Sequence, residues 1–170
     1  MSIKRTALAG LIAIAILISS PAIAQGTKVV NTFDAWTQYS HTGAPGDICF
    51  ITSHPRETKP AEVQRDRAYF YVSSWAKDVI KTQVSVLLGY DLQDDSEITV
   101  SIGNRSFKLF AKDDKAFVGD ATAELQLIDA MKRGSFMNVI AKTKDGVTTT
   151  DTYSLIGVTA AINSLASGCQ

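Results

Sequence analysis

Glu97-Ile98-Thr99-Val100-Ser101-Ile102, followed by Gly103-Asn104 and then by Ser106-Phe107-Lys108-Leu109-Phe110-Ala111, is the stretch that decides the fold class. Polar and apolar residues alternate strictly through the first six positions. A period of two places one set of side chains on a buried face and the other in water, the signature of a strand rather than a helix. Gly103-Asn104 is a two-residue turn, and Ser106 to Ala111 returns as the hairpin partner. One dry and one wet face per strand favours antiparallel sheets over the doubly covered parallel sheet of an α/β protein.

Outward from this hairpin the same grammar recurs. Thr82 to Leu88 alternates, and Ala68 to Trp75 is rich in aromatic residues and Val, both strand-like. Ile48 to Thr52 is a short apolar run that reads as a buried strand, and Phe33 to Ser40 is a further strand carrying Trp36 and Tyr39. Gly43 to Asp47 is a turn by composition, Gln25 to Thr32 a loose lead-in, and Pro55 to Gln64, with its prolines and charges, an exposed loop. On the C-terminal side Ser135 to Thr143 and Val147 to Ile156 form another pair around Asp145-Gly146. Its Thr-rich second arm suits a sheet edge.

Two segments change period. In Asp120 to Arg133 the residues Ala121, Leu125, Ile128 and Met131 fall on one helical stripe, with Asp120 as N-cap, Glu124 near the positive end, Lys132 and Arg133 near the negative end, and Gly134 as a left-handed cap. In Val158 to Ala166 the stripe is Val158, Ala161, Ile162 and Leu165. About eight strands at short spacing and two short helices predict a mainly β, antiparallel β-sandwich with helices at 120–133 and 158–166.

The start of the chain speaks of location. Lys4 and Arg5 precede an apolar run from Ala7 to Ile18, then Ser19-Ser20-Pro21 and the small-flanked triplet Ala22-Ile23-Ala24. That order is a secretory signal peptide over 1–24, with the mature domain expected over 25–170. The run is shorter than the roughly 20 residues that span a bilayer, so no transmembrane span is expected in the mature chain. The expectation is export to the periplasm, with outer-membrane association or secretion beyond it.

Charge narrows the partners. Lysine and arginine number 17, as do aspartate and glutamate, and the leader takes two of the basic residues, which leaves the rest at −2. A weakly acidic chain without a basic run argues against nucleic acid or an anionic membrane surface. Cys49 and Cys169 are the two cysteines. In an exported chain such a pair commonly forms a disulfide, here closing about 120 residues and contributing roughly 4–5 kcal/mol as an upper figure. Two free thiols are the alternative.

Catalytic grammar is absent from the residue pattern: no G-x-S-x-G elbow, no H-E-x-x-H and no phosphate loop. Asp91, Asp94 and Asp95 resemble the opening of a calcium loop but lack its spacing, its Gly and its distal Glu. His41 and His54 flank the Cys49 strand and could approach each other across a hairpin, yet two histidines do not close a zinc site. No metal, no cofactor and no enzyme activity are expected. Trp36, Tyr39, Tyr69, Tyr71 and Trp75 could form an aromatic binding face. Tyr69, Tyr71 and Trp75 share one parity of a strand and Phe70 and Val72 the other, so one set packs the core. If the tyrosine set is the outer one, Tyr69, Tyr71 and Trp75 are the candidate partner-binding residues.

Gly119-Asp120, Leu127-Ile128-Asp129-Ala130-Met131-Lys132-Arg133-Gly134, the run Asp151-Thr152-Tyr153-Ser154-Leu155-Ile156-Gly157-Val158-Thr159-Ala160-Ala161-Ile162 and the terminal Cys169, with Trp36 upstream, carry a family likeness. Together they resemble the invasion-associated locus B family of exported bacterial proteins, most clearly from Phe117 to Cys169. Two positions depart from that pattern: Ala123 or Glu124 stands where a Trp is frequent, and Val158 where an aromatic is usual. The resemblance implies an immunoglobulin-like β-sandwich, a periplasmic or outer-membrane-associated location and, in some pathogens, a link to host-cell entry. It implies no catalytic residues. The functional expectation is therefore a non-enzymatic envelope protein that contacts a protein or an envelope component; the alternative is a structural or stress-related envelope protein without a host ligand.

Overall fold

The computed structural model describes residues 26–43, 47–75, 82–93 and 96–167. The expected signal peptide over 1–24, the middle of the Gly43–Asp47 turn, Asp94, Asp95 and Cys169 lie outside the described residues.

The structure is mainly β and antiparallel, with two helices, as the alternation predicts. Its strands are β1 (Gly26–Phe33), β2 (Trp36–Thr42), β3 (Ile48–Ser53), β4 (Glu57–Lys59), β5 (Tyr69–Trp75), β6 (Thr82–Leu87), β7 (Glu97–Ile102), β8 (Arg105–Lys112), β9 (Lys115–Val118), β10 (Phe136–Lys142) and β11 (Thr148–Ser154). The helices are α1 (Ala121–Arg133), between β9 and β10, and α2 (Val158–Ser167), after β11. The layers belong to one hydrogen-bonded run in the order β1-β2-β3-β5-β6-β9-β8-β7-β10-β11-β4. This run folds over its own inner face, because Phe70 on β5 meets Tyr153 on β11 with ring centroids 5.8 Å apart. Trp36 on β2 also donates its Nε1–H to the Ser154 carbonyl at 3.0 Å. Strands so far apart in hydrogen-bonding order touch only when two layers stack.

The inner faces are built by parity. Cys49 and Ile51, Phe70 and Val72, Val84 and Val86, Ile98 and Val100, and Met137 and Val139 are all fully buried. The β7–β8 hairpin pairs Ile102 with Arg105 around Gly103-Asn104, with Gly103 at φ +58°. Asp145-Gly146 lies at the tip of a longer connection, since Lys142 pairs with Thr148.

Three strands were not visible as strands. β1 replaces the loose lead-in; its interior residues are exposed on both sides, so no alternation marks it. β4 interrupts the Pro55–Gln64 loop and pairs with β11, which moves the Thr-rich β11 from the edge to an inner place. β9 is four residues long and follows the Asp113-Asp114 turn.

Both helices stand where the periodicity puts them. Asp120 caps α1 by accepting from the Thr122 and Ala123 amides at 2.6 and 3.1 Å. The buried stripe of α1 is turned from the expected one. Glu124, Leu127, Ile128 and Met131 face the sheet, while Leu125 is 63 % exposed and Ala121 is exposed too. An apolar count misses this because one buried position is a carboxylate. Glu124 accepts from the Thr82 hydroxyl at 3.1 Å and from the Val84 amide, so α1 docks on β6 through a polar contact. Gly134 is not left-handed (φ −87°). Its need for hydrogen is steric, since a Cβ would lie 2.6 Å from Ile102 and 2.8 Å from Leu155. α2 buries Val158, Ala161, Ile162 and Leu165 as expected. At its start Gly157 takes φ +86°, and a Cβ there would strike the Phe33 carbonyl.

Candidate functional site

The inward parity of β3 and β5 obliges their other side chains to point out of the sandwich. Phe50 lies between the inward Cys49 and Ile51, and Tyr69 and Tyr71 flank the inward Phe70. Register then brings these outward rings together: Tyr39 pairs with Phe50, and Tyr71 with Thr52 beside it. The result is a continuous aromatic row across three strands. His54 lies 4.2 Å from Tyr69, Tyr69 5.7 Å from Tyr71, Tyr71 5.9 Å from Phe50, and Phe50 5.2 Å from Tyr39 in a near-parallel stack. His54 donates from Nδ1 to the Ala68 carbonyl at 3.3 Å, which fixes the ring at the end of the row. The four other rings are half-buried by one another, and His54 is exposed. Burial first, then the neighbouring Tyr69 and Tyr39, raises the Tyr71 phenol above its ordinary value.

The row continues over a dip. Tyr71 pairs with Ser85, Ser85 with Phe117, and Phe117 with Phe110, whose rings are 6.0 Å apart. Ser85, with Ser73 diagonal to it, is small between large rings, so a groove of about 520 Å³ opens there on the outer face. Outer faces of antiparallel sheets are ordinarily polar, whereas this one presents rings from five strands.

The inner side holds the other concentration of polar chemistry. Arg65 makes a two-pronged contact with Asp151, at 2.8 and 2.6 Å, and Asp151 is fully buried. The guanidinium lies over the Tyr90 ring at 5.8 Å, and Tyr90 and Thr149 share a hydrogen bond between hydroxyls. Burial drives the nearby Tyr153 phenol well above its ordinary value. This cluster ties the segment ahead of β5 to β11.

Of the expected site residues, Tyr69 and Tyr71 are brought together on the outer face. Trp75 shares their parity but sits at the far end of β5, opposite Ile48, and makes no ring contact among the described residues. Trp36 is turned inward and is fully buried. Cys49 is fully buried and is not a free thiol; its expected partner, Cys169, lies outside the described residues. His41 and His54 do not approach, because they stand at opposite ends of β3. His41 pairs with Ile48 and accepts from or donates to Thr27 at 3.0 Å, while His54 follows Ser53. Among the described residues no group of three or more His, Cys, Asp or Glu is placed to hold a metal ion. No described helix is long and apolar enough to cross a membrane. Phe50 and Phe117 were not singled out in the sequence, and His54 was weighed there only as a metal ligand. The signal for Phe50 is its parity, hidden by the apolar residues on both sides.

An antiparallel sandwich with an aromatic outer row defines the structural class. The crystal structure of invasion associated protein B from Bartonella henselae has a similar fold, with a TM-score of 0.60 and 11 % identity over 82 % of this chain and 97 % of that one. A comparison with curated proteins gives no match. The sequence pattern of the Invasion associated locus B (IalB) protein family matches residues 36–166, and the chain belongs to that family.

Proposed function

We propose that this is an exported, non-enzymatic envelope protein that works by contact, with the outer row Tyr39, Phe50, Tyr71 and Tyr69 as the contact surface. The single observation behind this reading is that the row spends large aromatic rings on a face that contributes nothing to the inner core. Tyrosine is rigid, amphipathic and frequent where proteins bind partners. The leader over 1–24 supports action in or beyond the periplasm, and the Cys49–Cys169 bridge would suit that oxidising compartment. Membership of the invasion-associated family supports a contribution to host-cell entry through such contacts.

A photo-crosslinking amino acid at Tyr71, introduced in intact cells, tests this. The expected result is a discrete envelope or host adduct from Tyr71 and none from a probe at the exposed Lys144 in the β10–β11 connection. The same adducts from both sites, or none from Tyr71, would contradict it.

A further inference from the structure

We propose that the outer-face groove beside the aromatic row binds a neutral glycan. The inference rests on the reading of this face as the contact surface and adds the chemistry of its partner. Strand register builds the groove: Phe50, Ser73 and Gln83 form one cross-strand line, and Tyr71, Ser85 and Phe117 the next. Small hydroxyl side chains thus make the floor and rings make the walls. The volume, about 520 Å³, falls in the range of small-ligand sites.

Charge and hydrogen-bonding chemistry select the ligand. Asp114 and Lys115, one of each sign, line the groove together with His41, so no cluster of one sign is built there to select an anion or a cation. The floor offers the Ser73 and Ser85 hydroxyls and the exposed Gln83 adds its amide, groups that both donate and accept. They bond to no other described side chain. A sugar is the complementary molecule, with hydroxyls that donate and accept and C–H faces that lie against aromatic rings. An extended peptide fits less well, because its backbone amides seek a strand edge, and these strands are already paired on both sides.

The full chain, expressed with its leader and purified from the cell envelope, is titrated by calorimetry with two probes. One is a β-1,4-linked N-acetylglucosamine tetramer, representing envelope glycan, and the other an N-acetyllactosamine tetramer, representing host-surface glycan. Saturable binding to either supports the inference, and the tighter probe identifies the source. Ser85→Phe fills the groove from a solvent-facing position and should weaken that binding at least tenfold while leaving the melting temperature within about two degrees. Gln83→Ala should weaken it several-fold. Failure of the wild-type chain to bind either probe, or binding untouched by Ser85→Phe, overturns the glycan assignment. If Tyr71 still crosslinks to an envelope protein in that case, the contact reading survives without it; if neither is seen, both fall.

Discussion

The two faces of β5 are made from the same kinds of residue and serve different ends. Phe70 and Val72 point inward and are fully buried, with Phe70 edge-on to both Trp36 and Tyr153. Tyr69 and Tyr71 point outward, half-buried by other rings and open to solvent at their edges. An aromatic ring inside a close-packed core cannot be removed without leaving a cavity, whereas one on the surface leaves only water. The contrast teaches that aromatic content along a strand says little about stability until the parity is known. It also makes a quantitative claim: stability should track the inward set and binding the outward set.

The inward side of that contrast can be broken most severely at β3. If Cys49 is bridged to Cys169, reduction should remove up to about 4–5 kcal/mol by freeing a loop of about 120 residues. Melting with and without reductant checks it, and the expected shift is many degrees. Phe70→Ala should cost about 3–5 kcal/mol through the cavity between Trp36 and Tyr153. Urea unfolding measures it. Asp151→Ala should cost about 3 kcal/mol, because it strands the Arg65 guanidinium in a nearly closed site. The figure belongs at the low end of the range for buried pairs, since Arg65 retains some access to water.

A smaller effect sharpens the inward face through pH. Burial raises the Glu124 carboxyl above its ordinary value, with the Val84 amide and Thr82 hydroxyl opposing. The folded state therefore holds this proton more tightly than the unfolded chain. Its contribution is present in acid, below the unfolded value, and is lost as pH rises through the raised folded value. Glu124→Gln should flatten the dependence of melting temperature on pH over that interval and leave stability at neutral pH equal or slightly higher. Melts taken across the acid-to-neutral range decide it; an unchanged slope would show that Glu124 is not the titrating group.

Much of this arrangement was legible in the residues, for identifiable reasons. The hairpin of β7 and β8 declared itself because each strand has one dry face. α2 did so because its four buried residues are apolar and evenly spaced. Where a strand is exposed on both sides, as in β1, or only three residues long, as in β4, no local pattern exists to read. β4 moreover owes its pairing to Thr150, Asp151 and Thr152, about ninety residues downstream. The stripe of α1 was misplaced because its first buried residue is Glu124, whose polarity is satisfied by a strand that no helical count includes. The site was half legible. Parity separated Tyr69 and Tyr71 from Phe70, but which set faced the core depended on the opposing layer. Phe50 was hidden because Cys49 and Ile51 are apolar too. The groove was invisible, since Ser73 and Ser85 acquire meaning only through register with Phe50 and Phe117.

The most direct measurement is made on Tyr69→Ala/Tyr71→Ala, by calorimetric melting and by retention of the wild-type crosslinked partner, in parallel. A surface built for contact predicts a loss under about 1 kcal/mol in stability and at least a tenfold drop in retention. A drop of several kcal/mol with retention intact would place these rings among the elements that hold the sandwich together and contradict the division between its faces.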